Sequence, residues 1–349
     1  MDSTAKVVSA LMEYGPCYTR ISEATGVPIS TVRYILNEKL PKLGLVVRAS
    51  VDYGMLGLNR YMVFLDVNSP PHHASTLLDL FGELLYLDYY TFLMKEKKFL
   101  SLFVVPPKFE ESFYFFLEKL LEIGAIRDYD VKKLDYMRPI PLRVECFDFR
   151  RGVWIQNWEG TPRKMKLVAS NNTTQLKINQ LDLKILAELQ INVFVKHVEL
   201  AKKLGVSRQT IKRHYENVVK AIRHYVVSWV PLENPDLIAT PVIVKLPSTY
   251  AARETVLNIP FSYMEMNSED REYYAILLLP SIGFYRTMRY LTERVEVKEM
   301  YFPSMEHAMK FTVHFNLYKD QIGWLNTFEE GVEKIMEKVR QIKKTHLEG

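Results

Sequence analysis

The chain has 349 residues, 48% hydrophobic and 25% charged, with a net charge of +5. This is a globular mixture too long for one core, so a disordered chain is excluded and two to four domains are expected. Two cysteines, Cys17 and Cys146, exclude a secreted disulfide scaffold, and no apolar run approaches the ~18 residues of a membrane span.

The start, MDSTAKVVSALMEYG, has an acid at position 2 and no long apolar block, so it does not read as a signal peptide. A cytoplasmic protein with no membrane partner is expected. The segments STAKVVSALMEYG, CYTRISEATG and VPISTVRYILNEKL predict three helices. Val8, Leu11 and Tyr14 supply the first apolar stripe, Ile21 the second, and Val32, Ile35 and Leu36 the third. Pro28 stands where a capping residue would help, so the cap of the third helix is expected to be missing or moved to Ser30, with a later helix start.

RYMVFLDV (60–67) alternates as a strand, and Ala74, Leu77, Leu78, Phe81, Leu84 and Leu85 follow at helical spacing. YLDYYTFLM and FLSLFVV predict two strands joined at the polar turn Lys95–Lys98. Phe109, Phe113, Phe116, Leu117 and Leu120 mark a second helix, and AIRDYDVKKL a fourth strand. The order is βαββαβ, that of a ferredoxin-like domain. An aromatic tail, RVECFDFRRGVWIQNW, follows; Phe147, Phe149, Trp154 and Trp158 are expected to close the core of this first half.

A polar segment, EGTPRKMKLVASNNTTQLKI, reads as an exposed linker. Beyond it the pattern repeats. NQLDLKILAELQ gives a helix with Asn179 as N-cap and Asp182 three residues on. Val198 to Leu204 gives a second helix that ends at Gly205, and Ser207 can cap a third. On that third helix Ile211, Tyr215 and Val218 face inward and leave Arg208, Gln209, Lys212 and Arg213 outside. Between Lys196 and Arg223, eight basic residues stand against two acidic ones, a local net of +6. Such concentration suggests a polyanionic partner.

TPVIVKL, STYAARETVLN, FSYMEMN, YYAILLLP, IGFYRTMRYLTERV and VKEMYF then repeat the βαββαβ order, and KFTVHFNLYKDQIGWL repeats the tail. Phe328, Val332, Ile335, Val339 and Ile342 mark a final helix. Its stripe of about two heptads is short for an independent coiled coil, so it is expected to pack on its own domain or on a twin chain.

The residues 181–218, LDLKILAELQ…VELAKKLGVSRQTIKRHYENV, resemble the DNA-binding region of Lrp/AsnC (feast/famine) transcription regulators. Residues 21–59, with the exit LGLVV and the connection VD…LGL, resemble the same region a second time. The resemblance implies an α+β chain of two tandem modules, each a winged helix-turn-helix followed by a ferredoxin-like βαββαβ domain. The expected boundaries are 1–52 and 53–158 for the first module, 159–178 for the linker, 179–230 and 231–325 for the second, and 326–349 for the C-terminal helix.

The implied function is an archaeal-type regulator that reads double-stranded DNA, with an amino-acid-like effector and self-association as a homodimer. Carried over by position, base contacts fall on Arg208, Gln209, Lys212 and Arg213, and in the first copy on Ser30, Arg33, Tyr34 and Asn37. Arg and Lys suit guanine edges and Gln suits adenine. Lys202, Lys203, Lys220 and Arg223 flank the second copy and suit phosphates. Different outer faces on the two copies suggest an asymmetric site, while an architectural protein of low sequence specificity would share the same basic surface.

An enzyme is the other class of reading. Siroheme decarboxylases resemble this architecture and use histidines on the hairpin of the ferredoxin-like domain. The matching turns here are Lys95-Glu96-Lys97-Lys98 and Ser268-Glu269-Asp270-Arg271-Glu272, without histidine. On that ground the chain is expected not to be an enzyme. No cofactor or metal is expected either: there is no phosphate-binding or dinucleotide-binding glycine motif, and His72, His73, His307 and His314 lack a ligand spacing.

Overall fold

A computed structural model of the chain describes residues 2–155, 157–161, 163, 174–229 and 239–347. It has the expected fold class, two winged helix-turn-helix plus ferredoxin-like modules in one chain. Residues 164–173 of the expected linker and the expected boundary at 230/231 lie outside the described residues.

The chain opens with α1 (Ser3–Tyr14), α2 (Tyr18–Thr25) and α3 (Ile29–Tyr34). Val7, Val8, Leu11, Ile21 and Val32 are fully buried between them. The third helix starts at Ile29, directly after Pro28, with no side-chain cap. Of the two expected alternatives the cap is missing and not moved to Ser30, and the helix does not start later, because the fixed φ of Pro28 suits the position that precedes a helix. A π-helical turn, Ile35–Lys39, leads into α4 (Leu40–Lys42). It falls just before Pro41, which has no N–H to return to the Asn37 carbonyl. Strand β1 (Leu45–Val51) is the wing.

The first ferredoxin-like unit is β2 (Asn59–Val67), α5 (Pro71–Leu84), β3 (Leu87–Leu93), β4 (Lys98–Val105), α6 (Glu110–Glu122) and β5 (Ile126–Pro139). Its tail forms a minimal hairpin, β6 (Phe147–Asp148) with β7 (Val153–Trp154). The second half repeats this with α7 (Gln180–Ile191), α8 (His197–Leu204), α9 (Arg208–Val218) and the wing β8 (Ile222–Trp229). Then come β9 (Ala239–Pro247), α10 (Tyr250–Asn258), β10 (Ser262–Ser268), β11 (Glu272–Pro280), α11 (Phe284–Thr292), β12 (Glu299–Tyr301) and β13 (Pro303–Lys310). A second small hairpin, β14 (Tyr318–Lys319) with β15 (Gly323–Trp324), precedes α12 (Phe328–Leu347).

The two halves exchange strands. From Ile126 to Leu134, β5 pairs with β2 of its own half; from Leu134 to Pro139 it pairs with β10 of the other. The second half returns the exchange: β12 pairs with β9, and one residue later β13 pairs with β3. The order of the resulting sheet is β12-β9-β11-β10-β5-β2-β4-β3-β13. Its two outer strands are separated in the chain only by Phe302, so one continuous segment carries both ends of the sheet. Met62, Phe64, Leu100, Leu102, Ile243, Met266 and Tyr274 fill one buried cluster that draws on both halves.

The outer cores are exchanged as well. Helices α7–α9 pack with α5, α6 and the second tail, where Val313, Leu317, Trp324 and Phe328 are buried. Helices α1–α3 pack with α10, α11 and the first tail. The expectation that Phe147, Phe149, Trp154 and Trp158 close the first half is therefore corrected. Trp154 meets Phe261 at 4.8 Å and Trp158 meets Tyr290 at 4.9 Å, both edge-on partners from the second half. Helix α12 seats Phe328 and Ile335 against α5 and α6 of the first half, so the expected packing on its own domain is corrected: the helix is exchanged along with the outer cores. The side chains of Val339 and Ile342 lie outside the described residues.

Candidate nucleic-acid interface

The geometry of α9 follows from three local devices. Gly205 takes the left-handed conformation that ends α8 (φ +67°), which lets the chain turn sharply. Ser207 then caps α9 by accepting from the Thr210 N–H at 3.0 Å. Asn179 and Asp182 form a reciprocal capping box on α7. Asp182 also reaches His214 Nδ1 at 2.8 Å and so fastens α9 to the first turn of α7.

With Ile211 and Val218 buried, the opposite side of α9 faces solvent. Arg208, Gln209, Lys212 and Arg213 are all exposed there, and Lys202, Lys203 and Lys220 flank them, also exposed. Two of the flanking cations have protein partners: Lys203 meets Glu188 at 2.7 Å, and Arg223 is half-buried with its Nε 2.6 Å from Asp52. Asp52 lies 171 positions away, in the other half, and nothing in the local sequence signals the pairing.

His197, at the start of α8, packs its ring on Tyr215 at 4.6 Å. Burial lowers its pKa, and the charges of Arg208 and Lys212 lower it further. The histidine therefore senses the positive field of the exposed face.

The first copy presents a different face. Ser30, Arg33, Tyr34 and Asn37 are exposed on α3 and its π-helical continuation, with Arg33 the one cation among these four. Two of them are already engaged by Tyr18, which sequence reasoning did not single out. Its hydroxyl donates to Asn37 Oδ1 at 3.0 Å, and the Arg33 guanidinium lies over its ring at 5.4 Å.

Other candidate chemistry is sparse among the described residues. No group of three or more His, Cys, Asp or Glu side chains could hold a metal ion, and no helix is long and apolar enough to cross a membrane. A shallow pocket, too small for more than about one water molecule, is bordered by Leu142, Val227, Ser228, Phe261 and Tyr263.

A family model of the AsnC-type helix-turn-helix domain matches residues 178–216, the segment that forms α7, α8 and α9. These residues are an AsnC-type helix-turn-helix domain. The AsnC-type domain is thus the part of the molecule that carries the capped, cationic third helix. Over its whole length the chain is similar in fold to a crystal structure of the siroheme decarboxylase NirDL. That match has 12% identity and a TM-score of 0.53 and covers 98% of this chain and 100% of the other. NirDL in co-complex with an iron-uroporphyrin III analogue gives 10% identity and a TM-score of 0.54 over the same shares. The structure of E. coli AsnC covers 38% of this chain and 91% of its own, at 15% identity and a TM-score of 0.29. No curated protein matches the chain by sequence.

The whole-chain likeness corrects the expectation that the chain is not an enzyme. Its arrangement of tandem modules is one that a decarboxylase uses. The two hairpin turns lack histidine, but that removes one location for an acid or base and not the chemistry, because reactive groups can stand on any element that borders a site. Fold alone does not assign the activity either.

Proposed function

We propose that the chain is a sequence-specific DNA-binding transcription regulator. The observation that carries this reading is the AsnC-type domain's third helix, capped by Ser207, pinned by Ile211 and fastened through His214, with Arg208, Gln209, Lys212 and Arg213 turned to solvent. A helix held on one side and lined with flexible donors on the other suits the major groove. In this reading those four residues meet base edges, while Lys202, Lys203 and Lys220 meet phosphates. Ser30, Arg33, Tyr34 and Asn37 form a second, weaker contact, and the composite site is asymmetric. An amino-acid-like effector and homodimerisation belong to the same reading, on the resemblance stated above.

Selection of bound duplexes from a random pool, followed by competition against random DNA over a salt series, tests it. Strong discrimination supports a regulator; equal binding of all sequences supports an architectural protein instead.

A second reading is favoured by the whole-chain fold: a siroheme-decarboxylase-like enzyme. Incubation with siroheme under reducing conditions and mass analysis of the tetrapyrrole tests it. Loss of carboxyl mass that persists in the Lys212→Ala/Arg213→Ala variant would establish this activity apart from any DNA binding.

A further inference from the structure

Phe194, in the turn between α7 and α8, packs against both outer cores of the molecule. Its ring lies 6.0 Å from that of Tyr18, with the planes only 4° apart. Tyr18 is the first residue of α2 in the other helix-turn-helix unit. The same tyrosine holds Asn37 through its hydroxyl and Arg33 over its ring, two of the four outward residues of the first copy. One side chain therefore joins the outer face of one unit to the frame of the other.

Two further seams run beside this stack. The wings β1 and β8 pair antiparallel from Leu45↔Trp229 to Val51↔Ile222. Gly15, with φ +76°, abuts the Tyr225 ring so closely that a Cβ there would come within 2.7 Å of it. Beyond the ladder, α1 packs on β8 and α7 packs on β1. The Tyr18–Phe194 stack adds a contact between α2 and the α7–α8 turn that reaches the outward residues of the first copy.

We infer that Tyr18 and Phe194 are positioning residues that set the attitude of the first copy relative to α9, so that the chain accepts its two half-sites at one fixed separation on the duplex. This rests on the DNA-binding reading for its target. The rigidity itself does not, and the two are tested separately.

The experiment keeps the half-site preferred by α9 constant and varies the spacer to the second half-site one base pair at a time. The full-length wild type is expected to prefer one spacer about tenfold over its neighbours, a difference of about 1.4 kcal/mol. Phe194→Ala and Tyr18→Ala are expected to flatten that profile while leaving the α9 half-site sequence unchanged. Tyr18→Phe, which keeps the stack and loses the Asn37 bond, is expected to keep the spacer preference. A wild type that binds specifically without spacer preference, or a Phe194→Ala profile identical to wild type, would overturn the inference.

In parallel, spin labels at Glu23 and Glu216, both exposed, are placed in a Cys17→Ser background. The inter-label distance distribution is expected to be narrow in wild type and broadened by Phe194→Ala. Equal widths would overturn the positioning role even if no duplex is bound. Failure of all duplex binding with the width change intact would instead count against the DNA reading alone.

Discussion

Arg138 on β5 places its Nε 2.6 Å from Oε1 of Glu265 on β10, across the seam where the first half's fourth strand joins the second half's sheet. Glu265 is fully buried, and it also bonds Arg253 at 3.0 Å and the Tyr273 hydroxyl at 2.9 Å. Burial works to raise its pKa, but the Arg253 hydrogen bond and the charges of Arg138 and Arg253 outweigh that and lower it. A buried carboxylate tolerates such a place only while its partners stay.

Arg138→Ala is therefore expected to cost about 3 kcal/mol in urea unfolding, the lower end for a broken buried pair because Arg253 and Tyr273 remain. A change below about 0.5 kcal/mol, the usual size for a surface site, would show that the seam does not depend on this pair.

His314 makes the fold sensitive to mild acid. It is buried beside Tyr86, and burial holds its pKa down at about 4, from an ordinary value of 6.5. The unfolded chain then binds a proton that the folded one refuses. Stability is expected to be intact above roughly pH 6.5 and to fall between there and pH 4, by up to about 3 kcal/mol. His314→Gln should remove that slope in melts recorded from pH 7.5 to 4.5; an unchanged slope would assign it to other groups.

The caps of the two third helices are expected to behave differently. Ser207→Ala removes an observed cap and should cost about 1 kcal/mol. Ser30→Ala removes no cap and should stay within about 0.5 kcal/mol in the same melts. Equal losses at both sites would contradict the capping geometry.

His197 offers a probe of the proposed interface from a residue outside it. Its pKa is lowered by burial and then by Arg208 and Lys212. Phosphates placed against those two cations would offset their field, so the His197 pKa should rise when a duplex binds. Imidazole chemical shifts titrated with and without DNA read this directly, and no rise would place the DNA elsewhere.

Much of the local architecture was legible in the sequence. Asn179, Ser207 and Gly205 announce their caps and turn by residue type and spacing, and the βαββαβ order follows from periodicity. What periodicity does not carry is the partner of a buried face. The stripe of Trp154 and Trp158 is apolar whether it packs on its own half or, as found, on Phe261 and Tyr290 of the other. The length of β5 beyond Leu134 was hidden for the same reason, since the alternating run KKLDYMRP reads equally as strand or tail. On α9, the outward placement of Arg208, Gln209, Lys212 and Arg213 was recognisable from the helix-turn-helix frame. The pairing of Arg223 with Asp52 and the hold of Tyr18 on Arg33 and Asn37 were not, because both depend on distant elements meeting. The exclusion of an enzyme failed because it rested on two turns, whereas the fold extends over the entire chain.

The most direct measurement is anisotropy titration of a selected duplex with wild type and with Lys212→Ala/Arg213→Ala, repeated from low to physiological salt. The account predicts that wild-type affinity falls steeply with log salt, that the variant loses sequence discrimination with its fold intact, and that Arg33→Ala costs less. A wild type indifferent to every duplex at low ionic strength, or a double variant that keeps full selectivity, would contradict it.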